Sequence, residues 1–480
     1  MQAQASSAGP AQTGQTYKVV PIMLALMISG FIGMFNETSL NVALTKLMDI
    51  LQITPATAQW LTTGYLLTLG ILVPVSGLLL QWFTTRQLFI ASAIFSIIGT
   101  LTAALSPNFE MLLIARVIQA IGTGLMLPLM FNTILVIFPP EKRGSAMGII
   151  GLVIMFAPAV GPTIAGLLIQ QLSWHWIFWL SLPFLVIALL CGILFMKNVS
   201  TITKPPIDLM SILLSTIGFG GIVFGFSSAG EGEGGWTSPK VVISIVIGVA
   251  ALILFSIRQF RMERPMINLR AFKYPMFSIG LLSVFITMMI ILSSMLVLPI
   301  YLQNGFGMSA FEAGLLMLPG GIINGIMSPI MGRLFDKYGP KWLVIPGFLI
   351  AAAALWFFSG ITPASASFLI IVLHSTLFIG LSMIMMPAQT NGLNQLPPQF
   401  YPDGTAIMNT LQQMAGAIGT AIAVSIMSAG TEHYMKTSAN PNPIEGLTAG
   451  VQNAFMFGAI TALIGFIVAF FIKRVVVNKK

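Results

Sequence analysis

The chain has 480 residues, of which 56% are hydrophobic and 7% charged, with a mean hydropathy of +0.93 and a net charge of +9. Soluble domains carry about 25% charged residues, so an ordinary water-soluble protein is excluded. A β-barrel is excluded too, because its strands alternate apolar and polar residues, whereas here long apolar runs recur from Val19 to Ile472.

Residues 1–17 carry no charged side chain and read as a disordered tail. The apolar run that follows is longer than a signal-peptide core and reads as a retained first span. Helices long enough to cross roughly 30 Å of hydrocarbon are expected at 19–44, 58–81, 88–106, 110–138, 145–170, 175–196 and 207–228. Seven more are expected near 240–258, 275–302, 309–332, 341–361, 365–390, 404–428 and 450–473, with a glycine-rich turn at 228–236 between the seventh and eighth. Fourteen spans put both termini on one side. With that side cytoplasmic, 18 of the 22 Lys and Arg residues fall in cytoplasmic segments, Lys46, Lys240 and Lys436 fall outside, and Arg116 lies within a span; this is the bias expected of inner loops. The positive charge is therefore a topological signal, not a nucleic-acid surface, and the basic stretch from Arg258 to Lys273 reads as an anchor against anionic headgroups. The sole cysteine, Cys191, excludes a disulfide within the chain.

Two loop segments repeat. Gly77–Arg86 (GLLLQWFTTR) starts 58 residues after residue 19, and Gly332–Lys341 (GRLFDKYGPK) starts 57 residues after residue 275. The duplication predicts two six-helix halves around a midplane site, with the seventh and eighth helices inserted between them. The expected organisation is a tail at 1–17, an N-terminal bundle at 18–197, two linker helices at 198–258, a basic segment at 259–274, a C-terminal bundle at 275–474 and a tail at 475–480.

These loop segments resemble the motif between helices two and three of the major facilitator superfamily. Arg116-Val117-Ile118-Gln119-Ala120-Ile121-Gly122-Thr123-Gly124 is similar to that superfamily's fourth-helix motif. Gly148, Ala157, Gly161, Pro162, Ala165 and Gly166 are similar to the fifth-helix motif of its antiporters. With Asn36 to Leu44, Trp174 to Phe178 and Gly235 to Pro239, they resemble the 14-helix drug:proton antiporter branch. Within it, Phe35-Asn36-Glu37-Thr38 resembles the lincomycin-resistance type of exporter. The resemblance implies an all-α integral membrane protein with the major facilitator superfamily fold, two six-helix bundles plus two inserted helices. It also implies a proton-coupled exporter of amphipathic drugs, lincosamide-like ones included, working by alternating access in the cell membrane. The sequence departs from the motif at Gln81, which replaces its acid, and at Thr84, which replaces its glycine. The second copy keeps Asp336 and Gly339, which assigns the surviving latch to Arg333, Asp336 and Lys341. The family's first-helix acid would fall at Asn36; Glu37 stands one residue, roughly 100°, further round the helix.

Only Glu37 and Arg116 place charge well inside the expected spans, at a cost of about 2.5–3.5 kcal/mol or more each at the bilayer centre. Both must face protein or water. Glu37 lies about 27 Å from the start of its helix and Arg116 about 9 Å below the outer end of its own, so both occupy the outer half. Gly30, Gly33, Glu37 and Asn41 form one stripe and Arg116, Gln119 and Thr123 another, predicted to converge on one cavity. A carboxylate there has its protonated form favoured by desolvation and its charged form by the guanidinium, so Glu37 and Arg116 are the expected proton-coupling pair. The other reading is a fixed pair that joins two helices. Inward proton flow would drive export, each proton supplying about 2.3 kcal/mol per 100 mV.

Tyr65, Asn132, Asn324, Gln389 and Gln413, with Asn41, Gln119 and Thr123, are candidate substrate contacts, in a cavity that Met and aromatic side chains would make adaptable. Gly77, Arg86, Gly148, Ala157, Gly161, Pro162, Gly166, Gly332, Arg333, Asp336, Gly339 and Lys341 are candidate gating positions, helix five by a small-residue face and proline bends. The small face Gly416, Gly419, Thr420 and Ala423 reads as packing. Glu312 has capping-box spacing from Ser309 and reads as a cap or as a second protonation site; Asp208 suits a helix N-terminus. His175 and His374 have no Cys or carboxylate at ligand spacing, so no metal is expected. The chain lacks a nucleotide-binding loop and any constellation for catalysis. The expected coupling ion is the proton with no cofactor, and the expected partners are amphipathic small molecules and membrane lipids, with no nucleic acid and no obligate protein. Export of an endogenous solute by the same machinery, or a receptor or scaffold without transport, are the remaining alternatives.

Overall fold

The computed structural model describes residues 19–53, 55–200, 202–229, 235–263 and 265–475. The tails 1–17 and 476–480 and the turn residues 230–234 lie outside them. Fourteen helices cross the molecule: α1 (Val19–Leu51), α2 (Pro55–Trp82), α3 (Thr85–Ala104), α4 (Phe109–Ile137), α5 (Arg143–Gln171), α6 (Trp176–Phe195), α7 (Leu209–Ala229), α8 (Pro239–Arg261), α9 (Pro275–Asn304), α10 (Ala310–Tyr338), α11 (Lys341–Phe358), α12 (Ser367–Asn394), α13 (Tyr401–Thr437) and α14 (Pro443–Ala469). All fourteen are long and apolar enough to span a bilayer, and no strand occurs among the described residues. In hydrocarbon a helix satisfies its own backbone, which is why these runs fold as helices.

The two halves repeat one packing scheme. α1 lies against α4, α5 and α6 as α9 lies against α12, α13 and α14; α2 and α3 lie against α4 as α10 and α11 lie against α12. α1 and α13 outrun their expected spans, reaching Leu51 and Thr437, because helical hydrogen bonding continues after the hydropathy that marks a span has ended. Thr84, where the loop motif has its glycine, caps α3 in a reciprocal box with Gln87, a role glycine cannot fill.

The halves meet along two seams. One runs the length of α5 and α10, where Gly144 lies on Gly332, Phe156 on Gly325 and Thr163 on Gly314. The other joins α2 to α13, with α7 packed on both. At its base α7 is tied to α8: Arg258 Nε and Nη2 donate to the two Asp208 oxygens at 2.6 and 2.9 Å, and the Ser211 hydroxyl donates to the same carboxylate at 2.5 Å. The Arg258 fork, then Ser211, holds the Asp208 carboxyl down at about 2 against an ordinary 3.8. A lowered folded-state value stabilises above the unfolded one and is lost as pH falls through the folded one, so this tie persists from neutral pH past 3.8 and loosens only near pH 2. Asp208→Asn at neutral pH is expected to raise amide exchange in the first turns of α7 by roughly two- to fivefold, the scale of a partly exposed pair. Unchanged exchange in that variant would show that the pair contributes nothing.

Candidate functional site

The face at which α1 begins and α14 ends is called the terminal face below. In the N-terminal half, away from that face, α1, α2 and α4 bring together five of the predicted side chains. Arg116, on α4, has 0% exposure. Its Nη1 donates to the Asn36 carbonyl at 2.9 Å and to Gln119 Oε1 at 3.1 Å, and its Nε donates to the Leu61 carbonyl at 3.3 Å. The guanidinium lies 4.1 Å from the centre of the Tyr65 ring, the stacking geometry of a desolvated cation–π contact. The Tyr65 hydroxyl donates to Thr123 Oγ1 at 2.9 Å, and Gln119 Nε2 donates to Thr100 Oγ1 at 3.1 Å. Gly33 lets α1 approach Thr123: a Cβ there would sit 3.0 Å from its hydroxyl.

Glu37 joins this group without closing it. It is half-buried, within Coulombic reach of Arg116, yet no oxygen of it comes within 4.0 Å of a guanidinium nitrogen among the described residues. Glu37 Oε2 and Arg116 Nη2 are both shielded and both unpartnered. An acceptor and a donor left open in one low-dielectric site cost about 1–3 kcal/mol each or more, which a bound water, hydroxyl or cargo group between them would recover. Asn36 faces the other way. Its amide receives the Ser181 hydroxyl at 3.0 Å and reaches Thr100 at 3.5 Å, inside the N-terminal half. The one-residue step from Asn36 to Glu37 thus takes α1 from the bundle interior to the Arg116 site.

The other predicted contacts are dispersed. Asn132 donates to Ser200 Oγ at 3.2 Å near the terminal face, apart from the Arg116 group. Gln389 is fully buried with both amide atoms unpartnered, three residues after Met386, which touches Gly151 of the opposite half. Gln413 is half-buried. Asn324 is buried on α10 with both amide atoms unpartnered. The Asn41 side chain lies outside the described residues. Glu312 forms the capping box with Ser309.

At the terminal face Asp336 caps α5 of the opposite half, accepting from the Gly144 and Ser145 amides at 2.9 and 2.8 Å and from the Ser145 hydroxyl at 2.6 Å. A carboxylate on a helix N-terminus is favourable. Arg333 and Lys341 form no ion pair with it among the described residues, so the latch is an acid-to-helix contact and not the expected charge cluster. Gly77 meets Ala406 of α13, while Gln81 accepts the Thr203 and Lys204 amides through its carbonyl, at 3.1 and 3.2 Å, and holds the linker to α7. Arg86 stays within its own half, donating to the Ile193 carbonyl. Gly339 takes φ +82° as the cap of α10, where glycine is favoured. In the Ala157–Gly161–Ala165 face expected to gate, with Pro162 and Gly166 beside it, Gly161 lies on Thr38 and Ser39 of α1, while Gly144, Gly148 and Gly151 lie with Phe156 and Thr163 on the side that meets the other half. Gly416 and Gly419 pack on α9.

One residue with a cross-half role was not singled out from the sequence. Arg143 is buried and donates to Asn394 Oδ1 at 3.1 Å and the Tyr401 hydroxyl at 3.0 Å across the interface, and to the Phe138 carbonyl at 3.1 Å in its own half. A signal exists: Pro139-Pro140 precedes Gly144-Ser145-Ala146 as Pro397-Pro398 precedes Gly404-Thr405-Ala406, with Arg143 and Asp403 immediately before the matching glycines.

A sequence model of the Major Facilitator Superfamily matches residues 26–420. The chain belongs to the major facilitator superfamily. Accordingly it is a multi-pass membrane transporter, not an enzyme. It is 70% identical over 472 residues to the lincomycin resistance protein LmrB of Bacillus subtilis, covering 98% of each chain, and 62% identical over 464 residues to that of Listeria monocytogenes, covering 96% of this chain and 98% of the other. The crystal structure of the human superfamily protein MFSD10, described as an organic anion transporter, overlays with a TM-score of 0.66 at 13% identity, covering 95% of this chain and 100% of that one; at that identity it shows the shared fold.

In this transporter Arg116 makes a fork that lysine cannot imitate. Arg116→Lys is expected to lose two of the three backbone and amide contacts and to lower the thermal midpoint of the purified protein by several degrees; an unchanged midpoint would show that the fork contributes nothing to joining α1, α2 and α4.

Proposed function

We propose that the protein is a proton-coupled antiporter that exports amphipathic drugs, lincosamides among them. The observation that carries this reading is the open acceptor and donor at Glu37 and Arg116: a carboxylate held apart from its cation in the membrane interior can take a proton or lose it as water and cargo come and go. Cargo that occupies the gap displaces the proton, and the proton displaces cargo. The relatives' names supply the lincomycin part of the proposal.

The terminal face is the cytoplasmic one on this reading, because it gathers most of the Lys and Arg residues. The arrangement described is then closed to the cytoplasm by Asp336, Arg143 and the Gly144–Gly332 contact. The proton is the coupling ion and no cofactor takes part. Purified protein in liposomes with a pH gradient is expected to accumulate lincomycin against its concentration gradient and to move protons the other way. If no tested amphipathic compound, lincomycin included, evokes proton movement, the antiport reading is wrong. If proton exchange occurs with an endogenous solute and with no drug, the same machinery serves a different cargo.

A further inference from the structure

His374 lies on α12 with 2% exposure, and neither ring nitrogen has a hydrogen-bond partner. Its ring packs on Phe378, with centroids 4.7 Å apart, and on the backbone of Gly320. A Cβ at Gly320 would sit 2.1 Å from Nδ1, so only glycine leaves room for the ring. One turn along α10, on the same side, Asn324 is 1% exposed with both amide atoms unpartnered. Two fully buried, unpartnered polar side chains on adjoining helices are costly, and polar groups retained at that cost inside a membrane mark function.

The internal repeat says what this position is. Arg116 stands seven residues after Phe109, the start of α4, and His374 seven after Ser367, the start of α12. Each is followed six residues later by a glycine, Gly122 and Gly380. Tyr65, which stacks on Arg116, precedes the motif glycine Gly77 by twelve residues, and Gly320, on which His374 lies, precedes Gly332 by twelve. Where the first half holds a permanent cation against a tyrosine ring, the second holds an imidazole against a bare backbone.

Among the described residues no charged group faces that imidazole. α12 packs on α9, α10, α11, α5 and α13 and carries no other ionisable side chain. On α10, Glu312 is bound to Ser309 eight residues, about 12 Å, from Gly320, and Arg333, Asp336, Lys337 and Tyr338 lie at the far end. Lys341 and Arg143 begin α11 and α5. On α13, Tyr401 and Asp403 lie in the first turn, and Glu432, His433, Tyr434 and Lys436 near the end. α9 offers only Tyr301, bonded to Thr448.

We propose that His374 is a second proton-binding site of this transporter, the counterpart in the C-terminal half of Arg116. This rests on the antiport reading above. Imidazole is the side chain whose charge changes nearest neutral pH, and without a counter-ion its charge follows the access of water. α10 governs that access, since the same helix covers His374 with Gly320 and carries the Asp336 latch. Movement of α10 past α12 admits water, one ring nitrogen takes a proton from it as an N–H bond, and closure returns that proton to water on the other side; no other bond changes.

The test is the steepness with which a pH gradient drives accumulation. For an uncharged substrate at zero membrane potential, each proton exchanged multiplies the equilibrium ratio by about tenfold per pH unit. His374→Gln and His374→Asn in liposomes are expected to keep substrate counterflow, which shows that they fold and alternate, while the accumulation ratio falls about tenfold per pH unit relative to the unsubstituted protein. Counterflow with an unchanged ratio in either variant would overturn the proposal. Should both variants lose counterflow, the unsubstituted protein decides alone: a ratio that rises a hundredfold per pH unit supports a second proton, and a tenfold rise overturns it. A flat ratio in the unsubstituted protein would instead sink the antiport reading, and the proposal with it.

Discussion

Glu37→Gln is expected to cut proton-driven accumulation sharply while leaving substrate counterflow intact. Glutamine keeps the size of the side chain and fixes its neutral state, so on the proposed mechanism cargo binding beside Arg116 Nη2 would expel no proton. The loss should reach at least about tenfold in the equilibrium ratio for each pH unit imposed, measured with lincomycin in liposomes. Transport that stays fully proton-driven in this variant would reduce Glu37 to a residue that merely occupies the wall. Because Glu37 and Arg116 are not in direct contact, the substitution breaks no ion pair, and the thermal midpoint should move far less than it does for Arg116→Lys.

The second large effect is expected at the terminal face. A Cβ on Gly332 would lie 2.1 Å from the Gly144 carbonyl oxygen and 3.2 Å from the Gly148 Cα, so backbone meets backbone and neither side can rotate away. Gly332→Val leaves each half free to fold, but the halves can no longer close there. Overpacking of this kind costs about 1–3 kcal/mol, enough to shift an equilibrium between two states by roughly 5- to 150-fold. With Cys191 replaced by alanine and a cysteine placed at Ser328, buried at this seam, labelling by a hydrophilic maleimide should rise at least about fivefold and transport should fall in parallel. Labelling that stays slow would mean that the Gly144–Gly332 contact does not control closure.

Much of the architecture was legible because lipid imposes a strict rule. A helix that spans hydrocarbon must be apolar for about twenty residues, so the number and order of α1 to α14 could be read from composition alone, and Gly77 and Gly332 revealed the repeat. What could not be read was phase. Asn36 and Glu37 are neighbours in sequence, and which of them faces Arg116 depends on the rotation of α1, which no hydropathy pattern fixes in a helix apolar on all sides. The same problem hid most of the inter-half face of α5: Ala157, Gly161 and Ala165 have ideal spacing for close approach, and so do Gly144, Gly148 and Gly151, but only tertiary packing assigns Gly161 to α1 and the second set to α10. Arg143 was missed because a basic residue in a loop is already explained by topology, which conceals a second duty across the interface.

The α7–α8 hairpin has a bearing on how cargo arrives. α7 lies over one seam, where α2 meets α13, and α5 runs along α10 at the other, so among the described residues helix packs on helix along both joins between the halves. On the export reading, an oily compound dissolved in the leaflet meets packed helices at each join, so a route in from the lipid would need one of those joins to part, and α7 is the helix whose displacement would uncover the α2–α13 side.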